Sequence, residues 1–305
     1  YEMSASLVGS EMCIRDSSGT LQIGELVAFI EYLFHAMFSL MLFSMVFVMY
    51  PKAQVSANRI EELLNEEPLI KNPENGVKQT EVKGEVEFDN VTFVYPNGEE
   101  PVLKNISFKC KKGEMIAFIG STGSGKSTLI NLIPRFYDVT EGSIKVDGVD
   151  VRDYDLKALR KKIGFIPQKT LLFTGSISSN IKFGKKNAKT GEVIHSAKVA
   201  QAYDFISKKP KQFEEIISEG GKNVSGGQKQ RLCIARAILK QPKVLILDDS
   251  TSAVDTATDA KIRQAFATEI PDTTKIIIAQ RISSVQNADR IIVMDLSLIH
   301  ISEPT

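Results

Sequence analysis

The chain has 305 residues, 43% of them hydrophobic and 25% charged, with a formal net charge of +1. That is enough apolar material for a substantial core in one or two domains, and the near-neutral balance gives no pull towards nucleic acid, so no nucleic-acid partner is expected. Cys13, Cys110 and Cys233 are scattered without a C-x-x-C pair, which argues against a disulfide framework and a zinc site.

Residues 1–17 have no helical or strand period and lack a charged region followed by an apolar block, so they are not read as a signal peptide. Val8 to Ser17 resembles translated sequencing-adaptor read-through, as do residues 296–305 at the other end. Both tails are expected to be non-native.

From Leu26 to Tyr50 the sequence is apolar apart from Glu31 and His35. As a helix at about 1.5 Å per residue it reaches about 38 Å, more than the roughly 30 Å hydrocarbon core of a bilayer. Glu31 and His35, four apart, share a helix face and need another helix or a water-filled cavity beside them. Lys52 and Arg59 place the C-terminal side in the cytoplasm. Between Ala53 and Leu64, apolar Val55, Ile60, Leu63 and Leu64 recur at helical spacing, as in a helix carried from lipid into water. Residues 18–65 are thus assigned to a membrane helix and its cytoplasmic extension.

Pro68, Pro73 and Gly76 mark residues 66–81 as a linker, and residues 82–295 as a soluble domain. Gly84 to Tyr95 alternates at period two with an interruption at Asp89-Asn90, as strands with one covered face do.

The chain is organised around Gly120-Ser121-Thr122-Gly123-Ser124-Gly125-Lys126-Ser127-Thr128, which fits G-x-x-x-x-G-K-[ST]. Met115 to Ile119 leads in as a strand, and Leu129 to Ile133 leaves at helical spacing before Pro134. A curled glycine-rich backbone turns its N–H groups inward at a helix start and so cradles a polyphosphate. Lys126 then reaches the β/γ-phosphates and Ser127 ligates Mg²⁺.

Two further apolar runs end in polar residues: Val244 to Leu247 in Asp248-Asp249, and Lys275 to Ala279 in Gln280. Buried strands between helical segments predict a parallel sheet with ligands at the strands' carboxyl ends, where Gly125, Asp248 and Gln280 can meet.

Val224-Ser225-Gly226-Gly227-Gln228, followed by Lys229 to Leu239, resembles the signature motif and helix of ATP-binding-cassette (ABC) proteins. The resemblance runs from Gly84 to Asp295. It implies an α/β P-loop fold with a mainly parallel sheet, an antiparallel β subdomain and a helical subdomain. It further implies Tyr95 stacking on adenine, Gln168 in the lid between nucleotide and membrane domains, and Ser127, Gln168 and Asp248 around the Mg²⁺ of a bound ATP. Ser252 to Asp255 resembles the loop that crosses to a partner cassette, and Ser225 to Gln228 would act on the partner's ATP. Pro167 to Gly184 looks like the segment by which exporter cassettes grip the intracellular ends of membrane helices, and Leu21 to Leu64 is similar to the last membrane helix of bacterial multidrug-type exporters. On this pattern five helices would precede the chain and more of the cassette would follow Asp295, making it a fragment.

Two positions depart from the family. Most members carry a catalytic glutamate where this chain has Asp249, and a switch histidine where it has Gln280. A carboxylate drawn back by about 1 Å can cost on the order of 10²-fold in rate, and an amide cannot exchange a proton. With the signature intact, this resembles the degenerate-site half of a heterodimeric exporter in the inner membrane, its cassette in the cytoplasm and its partner non-identical. The transported substance is not legible. A nucleotide-sensing subunit that binds ATP with little turnover is the alternative; a chromosome-maintenance ATPase fits poorly, because only about a hundred residues separate phosphate loop and signature, too few for a long coiled coil.

Overall fold

The computed structural model describes residues 23–81, 83–96, 98–279, 285–295 and 298–302. It divides into two compact units, Tyr1–Leu69 and Ile70–Thr305. Residues 1–22 and the Gln280 position lie outside the described residues, whereas residues 298–302 of the C-terminal tail are among them.

The described part of the first unit is one helix, Ile23–Asn65, of 43 residues, followed by the non-helical residues 66–69. The apolar run and the amphipathic stretch beyond it are therefore continuous, through Pro51. Proline there removes one N–H from the helical ladder, which the remaining turns tolerate. None of the 43 residues is buried, and apolar side chains such as Phe34, Phe47 and Leu63 are largely exposed. Long and apolar enough to cross a membrane, it is the single such helix among the described residues.

The second unit opens with β1 (Val86–Phe93) and β2 (Leu103–Cys110), paired antiparallel. Alternate residues are buried, and the register shifts between Phe88 and Val91 where the alternation breaks, with Asn90 at φ 48°. β3 (Met115–Gly120) leaves for a second sheet, and β4 (Glu141–Val146) and β5 (Val149–Asp150) return to the first, in the order β2-β1-β4-β5.

β6 (Ile163–Ile166) joins the second sheet, while β7 (Gly175–Ser176) and β8 (Ile216–Ile217) form a small ribbon beside the short helices Ile177–Lys182, Thr190–Val199 and Tyr203–Ser207. The signature helix Gly226–Leu239 leads to β9 (Val244–Asp248), and the helix Thr256–Glu269 to β10 (Thr274–Ile278). β11 (Arg290–Asp295) and β12 (Leu298–Ser302) complete the order β12-β11-β3-β10-β9-β6. β3, β6, β9, β10 and β11 are parallel, and among the described strands of this sheet only β12 runs antiparallel. Every residue of β9 and β10 is buried, as a sheet covered on both faces requires. The α/β P-loop fold expected from the sequence is thus present, with its antiparallel and helical subdomains.

Part of the segment read as a linker is docked. Val77 N bonds Asp153 O at 2.8 Å, and Asn72 bonds both the Asp155 carboxylate (3.0 Å) and Leu156 N (2.9 Å) at the start of the helix Leu156–Lys162. At that helix's other end Lys162 donates to Thr80 and to the buried Asp147 carboxylate at 2.6 Å, which also accepts from Gly84 N and Glu85 N. Cys110 and Cys233 are buried free thiols, and burial pushes both up.

Candidate functional site

β3 ends in Gly120, and the loop to Gly125 turns back under the helix Lys126–Leu132. Gly125 has φ 89°, and a Cβ there would meet Leu103 Cδ2 at 2.9 Å and Val102 O at 3.1 Å, so position 125 admits glycine alone without movement. Lys126 Nζ is held over the loop by Gly120 O (2.9 Å), Ser121 O (2.6 Å) and the buried Ser124 hydroxyl (3.1 Å).

Parallel strand order brings distant residues to this loop. β10 and β9 follow β3 in the sheet, with β6 next, so their carboxyl ends open on one side. A cleft of about 240 Å³ there is lined by Gly120, Thr122, Gly123, Gly125, Lys126, Ser127 and Thr128 of the loop together with Gln168, Asp248 and Asp249. The Ser127 hydroxyl donates to Asp248 Oδ1 at 3.1 Å. Adjacent ligands of an octahedral Mg²⁺ at 2.0–2.1 Å stand about 3 Å apart, so this hydroxyl–carboxylate pair has the chemistry and separation of two hard-oxygen ligands. Gln168 is exposed just beyond β6 on the same cleft. Asp249 has φ 44°, and its N–H bonds Ile278 O at 3.0 Å, tying it to the end of β10.

Asp248 is 9% exposed, and burial pushes its carboxyl above the ordinary value; Asp249 adds to the push while Ser127 and Lys126 oppose it. Burial likewise lowers the Lys126 ammonium, and Asp248 opposes that. Each charge is partly the other's support.

Tyr95 lies outside the cleft lining, its hydroxyl 2.9 Å from Thr128 Oγ1 and its ring edge-to-face with Phe93 and Tyr137. Ser225, Gly226, Gly227, Gln228 and Asp255 also lie outside it. Ser225 caps the signature helix, accepting from Gln228 N while Gln228 Oε1 accepts from Ser225 N. Asp255 caps the next helix through Thr258 N at 2.9 Å. The loop, strand ends and glutamine are brought together; the signature is held apart from them.

The family model described as "ABC transporter" matches residues 103–252. The chain is 41% identical over 279 residues to the uncharacterized ABC transporter ATP-binding protein YfiB of Bacillus subtilis, covering 92% of this chain and 48% of that protein. It is 39% identical over 278 residues to the putative multidrug export ATP-binding/permease protein YgaD of the same organism, covering 91% and 48%. A solved bacterial Atm1-family ABC exporter with ATP bound is similar at a TM-score of 0.81 and 33% identity, over 92% of this chain and 49% of that one. The chain carries an ABC transporter ATP-binding domain. It spans about half the length of these curated relatives.

A second feature of this ABC cassette is a groove of about 440 Å³. Its wall includes Pro167, Leu171, Phe183 and Gly184 from the segment singled out in the sequence. The other wall is new: Phe136 and Phe165, with Arg160, Arg236 and Lys240. Arg160 stacks over Phe136, and Arg236 over Phe173 and Phe183, at 5.5–5.6 Å from the ring centroids. Arg236 donates to Asn180 O and Leu171 O, and Lys240 to Arg160 O and Ile163 O, so the cations hold the groove's shape through carbonyls. Cys233, Arg236, Ala237 and Lys240 recur at helical spacing on one face, a signal present in the sequence but masked by the stronger signature preceding it. Tyr137 carries no comparable signal.

Proposed function

We propose that the chain is the ATP-binding and ATP-hydrolysing subunit of a membrane exporter, with ATP and Mg²⁺ bound in the cleft beneath Lys126. The observation that carries this reading is the 3.1 Å approach of Ser127 to Asp248 beside the lysine-capped loop. Ser127, Asp248 and Gln168 would hold the Mg²⁺, whose charge neutralises the phosphates. Lys126 binds the phosphate oxygens, the loop's N–H groups orient them, and Tyr95, steadied by Thr128 and Tyr137, offers its ring to the adenine.

The likeness to proteins named as exporters, the long apolar helix and the aromatic groove support transport over nucleotide sensing, since a sensor has no use for a groove that takes the end of a membrane helix. Helix Ile23–Asn65 would sit in the inner membrane, with the cassette in the cytoplasm. The transported substrate belongs to helices outside this chain.

Asp249 and Gln280 stand where the family carries glutamate and histidine, so the chain's own site turns over slowly. Its intact signature completes the competent site of a second, non-identical half-transporter. The test is Mg-ATP binding and turnover in the full-length complex, comparing the wild type with Asp249→Glu/Gln280→His. Retained binding with a rise in turnover at this chain's site supports the reading. Failure to bind Mg-ATP overturns it, and brisk turnover by identical chains alone overturns the heterodimer.

A further inference from the structure

The signature loop and the 252–255 segment of the same chain meet at several points. Gln230, 4% exposed on the inner face of the signature helix, donates from Nε2 to Ser252 Oγ at 3.3 Å and accepts from Ala253 N at 3.0 Å. An amide suits this place because one end donates and the other accepts. A Cβ on Gly227 would stand 2.8 Å from Ala253 O, and one on Gly226 3.3 Å from Ala253 Cβ. Gly227 is therefore demanded by a neighbouring loop of its own chain, apart from any phosphate it faces, and Gly226 is crowded by the same loop. The segment is tied back in turn, Ser252 N bonding Asp249 O at 3.2 Å, and forward through the Asp255 cap on Thr258 N.

We propose that Gln230 is a positioning residue that makes the signature loop and the 252–255 segment one body, so that both reach the partner's nucleotide in fixed register. The inference rests on the proposed function, in which Ser225 to Gln228 complete a site on the partner cassette. Gln230 touches no reactant. It acts through Ser252 and Ala253, and its loss leaves two partner-facing loops free to shift against each other.

The experiment measures steady-state kcat and KM for Mg-ATP in the assembled full-length transporter in lipid nanodiscs, for the wild type, Gln230→Ala, Gln230→Glu, Ser252→Ala and Gln230→Ala/Ser252→Ala. Gln230→Ala should lower kcat about tenfold with KM within about twofold, the pattern of lost transition-state alignment. Gln230→Glu should recover to within about threefold, because its carboxylate accepts from Ala253 N and the Ser252 hydroxyl can turn to donate. The double variant should be no worse than Gln230→Ala alone, since both remove one interaction. Wild-type kcat in Gln230→Ala, a Gln230→Glu as impaired as the alanine, or additive losses would each overturn the proposal. Should Gln230→Ala fail to assemble, Gln230→Glu and the exposed-loop Ser252→Ala still decide it: Ser252→Ala should lower kcat about threefold while the glutamate stays near wild type. Ser225→Ala separates the two levels. Impaired turnover there with an inert Gln230→Ala sinks the positioning role alone, whereas two inert variants sink the partner-facing reading beneath it.

Discussion

Ser127 Oγ and Asp248 Oδ1 lie 3.1 Å apart, though 121 residues separate them in the chain. The hydroxyl opens the helix after the phosphate loop and the carboxylate ends β9, so their meeting closes the cleft. Asp248 remains buried enough that its charge is disfavoured, and the predictions begin from that cost.

Asp248→Asn should weaken Mg-dependent ATP binding while raising the melting temperature of the nucleotide-free protein at neutral pH by about 2 °C. The folded-state value of Asp248 is raised, so its contribution to stability is present at low pH and lost as pH rises through that value. The stability advantage of asparagine should therefore shrink on acidification. Melting curves against pH for both proteins check this, and an advantage that grows as pH falls refutes it.

Lys126→Ala should lower ATP affinity about 100-fold, equivalent to ~2.7 kcal/mol of charge-assisted hydrogen bonding to phosphate. Calorimetric titration with Mg-ATP reads this directly. An unchanged dissociation constant would place the nucleotide elsewhere.

Tyr95→Phe and Thr128→Val should each cost about 1 kcal/mol in denaturant unfolding, because each leaves the other's hydroxyl without its partner, and the double change should cost less than their sum. Thr128 is 8% exposed, so water does not readily substitute. ATP affinity should stay within about threefold for Tyr95→Phe but fall about tenfold for Tyr95→Ala, which removes the stacking face.

Lys162→Met should destabilise the cassette by about 3–5 kcal/mol, since it strands a buried Asp147 carboxylate. That carboxylate is fully buried and organises Gly84 N and Glu85 N at the start of β1. Lys162→Met/Asp147→Asn should recover part of the loss, measured as the shift in denaturant midpoint.

Phe183→Ala should leave Mg-ATP binding within about twofold while cutting ATP-driven transport about tenfold, because it removes an exposed anchor of the groove rather than a contact to nucleotide. Equal loss of both activities would mean that the groove supports the cleft instead.

Most of the cleft was legible because its parts are short and continuous. Gly120 to Thr128 needs only local backbone geometry, and Asp248 announces itself by following four buried apolar residues. Asn72, Tyr137 and Gln230 were not legible. Asn72 sits in a Pro- and Gly-containing stretch that reads as linker, and its partner Asp155 is 83 residues away. Polar side chains of this kind have no periodicity; their partner exists only once the fold supplies it.

The sequence by itself determined the glycine-rich loop, the signature, the membrane-length helix and the α/β class, since each is written in neighbouring residues or in a repeat along one element. Tertiary structure alone decided which strand ends adjoin the loop, that Gln230 joins two motifs, and that Arg160, Phe183 and Arg236 share one groove. The reason is the parallel sheet: its spatial order, β11-β3-β10-β9-β6, differs from the order of the chain, so contacts across it carry no local trace.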